Sequence, residues 1–190
     1  MSTDIDLYIK ELRRTITVAG LNYEIWWVYK GQDTRPMYVK TINKYGLFFE
    51  TSLHAHFVAL IVELYRLYEI RNDTFNIPKL LKILKAEGLL PEATLKLLDV
   101  IYKNEARPLW LKVNTLRNNV FAHRSIAHTP EKAFQKADVA PAELRDLMEV
   151  TKKLLNELTH TWDKSTHAFN LGAREDALRL LDDFKGMKKC

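Results

Sequence analysis

The apolar residues of the first thirty positions recur at alternating spacings of four and three, and this repeat restricts the fold more than any other feature of the chain. Side chains at these spacings lie on one face of an α-helix, whereas a half-buried strand needs strict alternation. Ser2, Thr3 or Asp4 is placed to cap this helix, and Gly31 to end it. The repeat consists of Ile5, Ile9, Leu12, Ile16, Ala19, Tyr23 and Trp26.

Helical spacing continues through the rest of the chain. We predict a second helical region from about Met37 to Asn72-Asp73 and a shorter helix over residues 77–87, with Pro78 in its first turn and Gly88 after its end. A helix opened by Pro91 runs through Tyr102, and a separate or kinked helix runs from Pro108 to about Phe121, because proline lacks an N–H and clashes with the preceding turn. A linker follows over residues 127–141. The last elements are a long helix over residues 144–162 and a terminal helix over residues 173–184.

No segment alternates with period two for long enough to predict a sheet. We therefore predict an all-α fold, an antiparallel up-and-down bundle with an additional C-terminal helix. The 190 residues are predicted to form a single domain, with a core bundle over about residues 5–168 and the terminal helix over about 173–185. A composition of 47% hydrophobic and 28% charged residues is typical of a globular protein rather than a disordered one.

The sequence also bounds the cellular setting. No apolar run approaches the roughly 18 residues that a membrane-spanning helix needs. The acidic N-terminus lacks the pattern of a secretion signal, and one cysteine, Cys190, excludes an internal disulfide. We therefore expect a cytoplasmic protein without a membrane partner.

Positive charge is concentrated in one stretch. The chain has a formal net charge of +5 and a pI of about 9.2, which permits a polyanionic partner. Between residues 103 and 124 the only acidic residue is Glu105. A solvated helix face explains this surplus as well as a nucleic-acid interface does. The cations of the stretch are Lys103, Arg107, Lys112, Arg117 and Arg124.

The segment from Leu116 to Arg124 carries the candidate chemistry. Arg117 and His123 are six positions apart, which is about 240° around a continuous helix. They can meet only if the helix ends near Phe121 or Ala122 and the chain folds back.

Arg117 also belongs to a second stripe. This stripe consists of Trp110, Asn114, Arg117 and Phe121, which follow helical spacing. It lies beside the aliphatic stripe of the same predicted helix, which consists of Leu109, Val113, Leu116 and Val120. Such a face suits a contact surface, and we expect a dimer interface at Trp110 and Phe121. Alternatively, these two aromatic residues only widen the core face.

These residues resemble the mark of the HEPN superfamily, an arginine followed after four to six residues by a histidine. Arg117-Asn118 followed by Ala122-His123 has this form, and the run from Leu116 to Arg124 is most similar to the abortive-infection, phage-defence branch. The resemblance extends more weakly to residues 53–68 and 74–81, and covers about residues 5–165.

The resemblance implies an endoribonuclease that acts without a metal or other cofactor, and a toxin or phage-defence effector restrained by a cognate antitoxin or regulatory protein. Arg117 would stabilise the transition state, His123 would act as general acid or base, and Asn118 would orient the imidazole or the phosphate. A homodimer would bring a second histidine to the cleft. The candidate substrate-binding residues are Lys112, Asn114, Arg124 and His128.

A HEPN-like dimer that binds RNA or a partner protein without cutting is the second hypothesis for function, and an unrelated helical scaffold is the third. A metal site at His54 and His56 is not expected, because residues two positions apart on a helix point about 200° away from each other.

Overall fold

The computed structural model describes residues 4–118, 135–170 and 172–186. Within these ranges the chain forms eight α-helices and one π segment, and it contains no strand, so the prediction of an all-α fold is confirmed. The helices are α1 (Ile5–Lys30), α2 (Arg35–Lys44), α3 (Gly46–Arg66), α4 (Ile77–Ala86), α5 (Glu92–Val100), α6 (Arg107–Arg117), α7 (Pro141–Trp162) and α8 (Ala173–Gly186), and the π segment (Ile101–Ala106) joins α5 to α6.

Two helices begin at a side-chain cap, of which the cap at Asp4 was predicted. Asp4 Oδ1 accepts a hydrogen bond of 2.9 Å from the Leu7 N–H at the start of α1. Asn76 Oδ1 accepts one of 2.9 Å from the Lys79 N–H at the start of α4. Both side chains satisfy an N–H that has no partner inside its helix. Gly88, just after α4, takes a φ of +62°, a conformation that favours glycine.

The second predicted helical region is wrong in its bounds. It is two helices, because Tyr45 leaves helical geometry with φ −116° and ψ 41° before Gly46 begins α3. It also ends at Arg66 rather than near residue 72. Beyond that end, the Ile77 N–H donates to the Leu67 carbonyl at 2.8 Å, which closes the loop that leads into α4.

Pro108 changes the hydrogen-bond register without breaking the helix. Ala106 keeps helical dihedrals of φ −78° and ψ −47°, and the Arg107 N–H donates to the carbonyl of Tyr102, five residues earlier. A proline ring in a regular α-helix clashes with the carbonyl four residues before it, which here is that of Asn104. The wider π turn relieves this clash, so the predicted interruption takes the form of a π segment.

The chain divides into two compact units, residues 1–16 with 61–168 and residues 17–60 with 169–190. In the first unit, α7 packs against α5, the π segment and α6. The long helix predicted over residues 144–162 has its apolar stripe buried as expected. The buried stripe consists of Leu144, Leu147, Met148, Thr151, Leu154, Leu155 and Leu158.

The second unit holds the terminal helix. Leu181 of α8 packs in a buried cluster with Val28, Tyr29 and Phe49. The Tyr38 hydroxyl donates a hydrogen bond of 2.8 Å to Asp182. These contacts join the terminal helix to residues 17–60. The predicted single domain, with a core bundle over residues 5–168 and an additional terminal helix, stays a prediction.

Helix α3 is long and apolar enough, by length and composition, to cross a membrane. This is weak support for a membrane span, because the core helices of soluble proteins pass the same test. Its buried positions include Phe57, Leu60, Ile61 and Leu64. These residues follow helical spacing in the sequence, which predicts that they share one face turned toward a core.

Replacing Asn76 with alanine should lower the free energy of unfolding by about 2 kcal/mol. Asn76 is buried, caps α4, and donates from its side chain to the Arg71 carbonyl at 2.8 Å, so alanine leaves backbone groups unsatisfied. Urea denaturation measures the loss. Asn72→Ala makes the same change at an exposed neighbouring position and should cost less than about 0.5 kcal/mol. Equal stability of the two variants would contradict the capping role.

Candidate functional site

Three residues of the predicted second stripe lie on one face of α6. Trp110, Asn114 and Arg117 follow helical spacing, and Asn118 continues with helical dihedrals of φ −66° and ψ −36° directly after the helix. All four side chains are half-buried. Val113 and Leu116 are buried in the core, so the stripe lies beside a face that fixes the helix.

The guanidinium of Arg117 contacts an aromatic ring and an amide. Its central carbon lies 4.7 Å from the centroid of the Tyr65 ring, and its Nη1 donates a hydrogen bond of 3.1 Å to Asn118 Oδ1. Within residues 4–118, 135–170 and 172–186, no Asp or Glu oxygen lies within 4.0 Å of it.

Tyr65 of α3 is a site residue that sequence reasoning missed. Its ring stacks on Trp110, with centroids 6.3 Å apart and planes 27° apart. The Trp110 indole N–H also donates to the Tyr65 carbonyl at 3.2 Å. An aromatic residue at the edge of the apolar stripe of this helix was the available signal, but it does not identify Arg117 as the neighbour.

Asn118 links the arginine to Asn114. Its Nδ2 donates a hydrogen bond of 3.3 Å to Asn114 Oδ1 while its Oδ1 accepts from Arg117. This short chain of hydrogen bonds fixes both the amide and the guanidinium. The predicted role of Asn118, orienting the imidazole or the phosphate, stays a prediction.

A buried contact anchors the elements that carry Tyr65 and Arg117. The hydroxyls of Tyr68 and Thr151 are 2.7 Å apart, and Tyr68 stacks on Tyr102 of the π segment with centroids 6.0 Å apart. Complete burial raises the pKa of Tyr68 well above its usual range, so this phenol stays neutral. The contact joins the chain after α3, the π segment and α7.

Lys112, a predicted substrate-binding residue, forms ion pairs with two acidic residues. Its Nζ lies 2.7 Å from a carboxylate oxygen of Glu143 and 3.5 Å from one of Asp138. The hydrogen bond with Glu143 raises the pKa of Lys112 and lowers that of Glu143. Glu143 also accepts from the Ala140 N–H at 2.7 Å at the start of α7. The predicted substrate-binding role of Lys112 would require this pairing to be exchanged for a phosphate.

The remaining predicted site residues lie outside the described residues. They are Phe121, His123, Arg124 and His128. The separation between Arg117 and His123, and the helix end that was predicted to bring them together, therefore stay predictions.

His54 and His56 do not gather metal ligands. The Nδ1 atom of His56 lies 2.9 Å from Asn22 Oδ1, so this ring is already hydrogen-bonded. No group of three His, Cys, Asp or Glu side chains suited to a metal occurs among the described residues.

Acidification should destabilise the chain through His56. Burial lowers the pKa of His56 below the ordinary value of 6.5, so the unfolded chain binds more protons between that lowered pKa and 6.5. Stability is then lost as the pH falls from 6.5 through the folded-state pKa. Urea titrations at pH 7 and pH 5 measure this loss.

His56→Gln is the matched variant for that measurement. Glutamine keeps a donor near Asn22 but does not titrate in this range, so the difference in unfolding free energy between the two pH values should shrink. Burial also lowers the pKa of His167, but this histidine is present in both proteins. Its contribution to the pH dependence is therefore the same in both and does not affect the comparison. An identical pH dependence in the two proteins would exclude His56 as a source.

The comparison with known families agrees with the motif. The family model HEPN_AbiU2, described as AbiU2, matches residues 2–180 of this chain. No curated protein and no solved structure matches the chain. Because the match covers nearly all of the 190 residues, the predicted resemblance is confirmed. The chain belongs to the AbiU2 family, in the abortive-infection branch of the HEPN superfamily.

Proposed function

We propose that this abortive-infection protein is an endoribonuclease that cleaves RNA by attack of a ribose 2′-hydroxyl, without a metal ion. The observation that carries the proposal is the half-buried Arg117 cation, which is held by Tyr65 and Asn118 and has no carboxylate partner among the described residues. His123, six positions later in the family motif, supplies the proton transfer.

The reaction needs two proton transfers. The 2′-oxygen loses its proton to a base and bonds to the adjacent phosphorus, while the bond from phosphorus to the 5′-oxygen breaks and that oxygen gains a proton. The products are a 2′,3′-cyclic phosphate and a 5′-hydroxyl. Histidine titrates near neutrality and suits either transfer. Since DNA lacks the nucleophile, the substrate is RNA.

Arg117 stabilises the charge that builds on the phosphate oxygens. A guanidinium has five N–H donors in a planar fork. One N–H binds Asn118, and the face of the fork rests on Tyr65. Its other N–H groups have no partner among residues 4–118, 135–170 and 172–186, and in this proposal they bind the phosphate. A preorganised donor of this kind stabilises a transition state more than a mobile one does.

Tyr65 acts as a positioning residue rather than a catalytic one. Its ring attracts the guanidinium through the cation–π interaction, and its own orientation is fixed by stacking with Trp110. The hydrogen bond from Trp110 to the Tyr65 carbonyl ties α6 to α3 at this point. Together these contacts limit the positions that the guanidinium can take.

A homodimer completes the acid–base pair in this proposal. One histidine performs one transfer at a time, so a second motif related by a two-fold axis supplies the other. The half-buried Trp110 face and Phe121 form the proposed contact. Mixing Arg117→Ala and His123→Ala proteins tests for shared sites, and the yield of dimers is measured by sedimentation. A strictly monomeric protein that still cuts RNA would exclude the shared site.

The biological setting follows from the family. We propose a cytoplasmic toxin or phage-defence effector, because uncontrolled RNA cleavage harms the host cell. Such a protein needs restraint by a cognate antitoxin or regulatory protein.

Cleavage of RNA in EDTA tests the activity. The purified chain should cut a structured RNA in the presence of EDTA and leave cyclic-phosphate ends, which resist ligation until they are opened. His123→Ala should abolish the cutting. Equal cutting by His123→Ala and the unchanged protein would contradict the proposal. Salt-dependent RNA retention without any cutting would instead favour a HEPN-like binding module.

A further inference from the structure

A groove of about 340 Å³ lies within the second unit, between the end of α1, helix α2 and the start of α3. All of its lining residues fall between positions 29 and 53. Along α2 it reaches from Arg35 to Ile42 and Asn43, a distance of about 10 Å for two helical turns. This volume and length suit a small molecule rather than a helix or a strand of a partner.

The inner wall of the groove carries the phenol of Tyr29. Tyr29 is 4% exposed, and its ring packs edge-on against Phe49 with centroids 5.1 Å apart. No described residue forms a hydrogen bond with the Tyr29 hydroxyl. Tyr29 is one of the residues that line the groove. Desolvation raises the pKa of Tyr29, so the phenol stays protonated and can donate.

The outer wall carries two cations. Lys30 and Arg35 are exposed, and neither has an Asp or Glu oxygen within 4.0 Å in the described part of the chain. Glu50 is the one acidic residue of the lining, so the groove has a net charge of +1 from its side chains. An arginine fork and an ammonium group both bind phosphate or carboxylate oxygens.

We propose that this groove binds a small organic anion with a flat apolar body. The anionic group binds Lys30 and Arg35 and accepts a hydrogen bond from the Tyr29 hydroxyl. The flat body packs against Ile42 and the half-buried Leu53, which line the groove above the buried Phe49. An aromatic phosphate and an aromatic carboxylate share this chemistry. The site is independent of Arg117, so it holds whether or not the chain cleaves RNA.

Binding of simple probes to the full chain tests the proposal by NMR. Phenyl phosphate and benzoate should shift the amide signals of Phe49 and Leu53 saturably. The probe with the lower dissociation constant shows whether the groove prefers a phosphate or a carboxylate. Benzyl alcohol, which lacks the charge, should bind at least tenfold more weakly than the better of the two. Absence of saturable shifts with both anions would overturn the site, as would equal binding of benzyl alcohol.

Two variants and one control locate the ligand. Tyr29→Phe removes only the hydroxyl and should weaken the tighter probe about tenfold, the usual effect of a hydrogen bond to a charged group. Arg35→Ala should weaken it by a similar factor, and more strongly at low salt. Lys82→Ala removes an exposed lysine of α4 and should leave the dissociation constant unchanged. Unchanged binding by both Tyr29→Phe and Arg35→Ala would overturn the assignment.

Discussion

Replacing Arg117 with alanine should lower the rate constant for RNA cleavage by about 10³-fold, which corresponds to about 4 kcal/mol of lost transition-state stabilisation. The guanidinium is the only described cation that combines a fixed orientation on an aromatic ring with the family motif. Its charge is not offset by a carboxylate within 4.0 Å in the described ranges. The rate of appearance of cyclic-phosphate ends under single-turnover conditions measures the loss.

Arg107→Ala is the matched control for this variant. Arg107 is an exposed arginine on the same helix, at its first position, and lies outside the cluster with Tyr65 and Asn118. Its loss removes the same charge and should change the rate less than threefold. Circular dichroism should be unchanged in both variants, because Val113 and Leu116 hold α6 by its buried face. Similar rates for the two variants would show that Arg117 contributes only general positive charge.

Helix positions were predictable from the sequence where burial sets the pattern. The apolar stripe of α7 and the cap at Asp4 depend on residues close in sequence, so local rules suffice. The break before Gly46 was also signalled by that glycine, but the stripe that continues beyond it predicted one helical region. The π segment could not be predicted, because periodicity does not distinguish a change in hydrogen-bond register from a kink at Pro108.

The site was predictable only in part for a related reason. Spacing placed Trp110, Asn114 and Arg117 on one face, and the structure keeps them there. The spacing could not show that Tyr65, far away in the chain, supplies the ring beneath the Arg117 guanidinium. Nor could it show that Lys112 is paired with Glu143, because a local surplus of positive charge says nothing about acids from another helix. Periodicity identifies a face but not its neighbour.

The π segment explains why Arg117 lies over the Tyr65 ring. It brings Tyr102 onto the buried Tyr68, directly after the end of α3, the helix that carries Tyr65. The same segment sets the rotation of α6, and therefore the direction in which Arg117 leaves the helix. A change in register at this point would carry the arginine away from the Tyr65 ring. Insertions of this type occur often at functional sites.

Replacing Tyr65 with leucine should lower the rate constant for RNA cleavage by about 100-fold, with little change in KM. Leucine retains an apolar side chain for packing but removes the ring that lies 4.7 Å from the Arg117 guanidinium. The arginine then samples other positions, and a displacement of about 1 Å at the reacting phosphate costs roughly this factor. Binding of the RNA depends on many contacts, so KM should change less than threefold.

Tyr65→Phe separates the ring from the hydroxyl. Phenylalanine keeps the aromatic face under Arg117 and the stacking with Trp110, so cleavage should stay within threefold of the unchanged protein. Thermal unfolding of both variants checks that the packing of α3 against Trp110 survives. If the rate falls equally in both, the hydroxyl rather than the ring is what matters. If neither variant changes the cleavage rate, the cation–π contact does not position Arg117. The hydrogen bond to Asn118 is then the remaining described contact of the guanidinium.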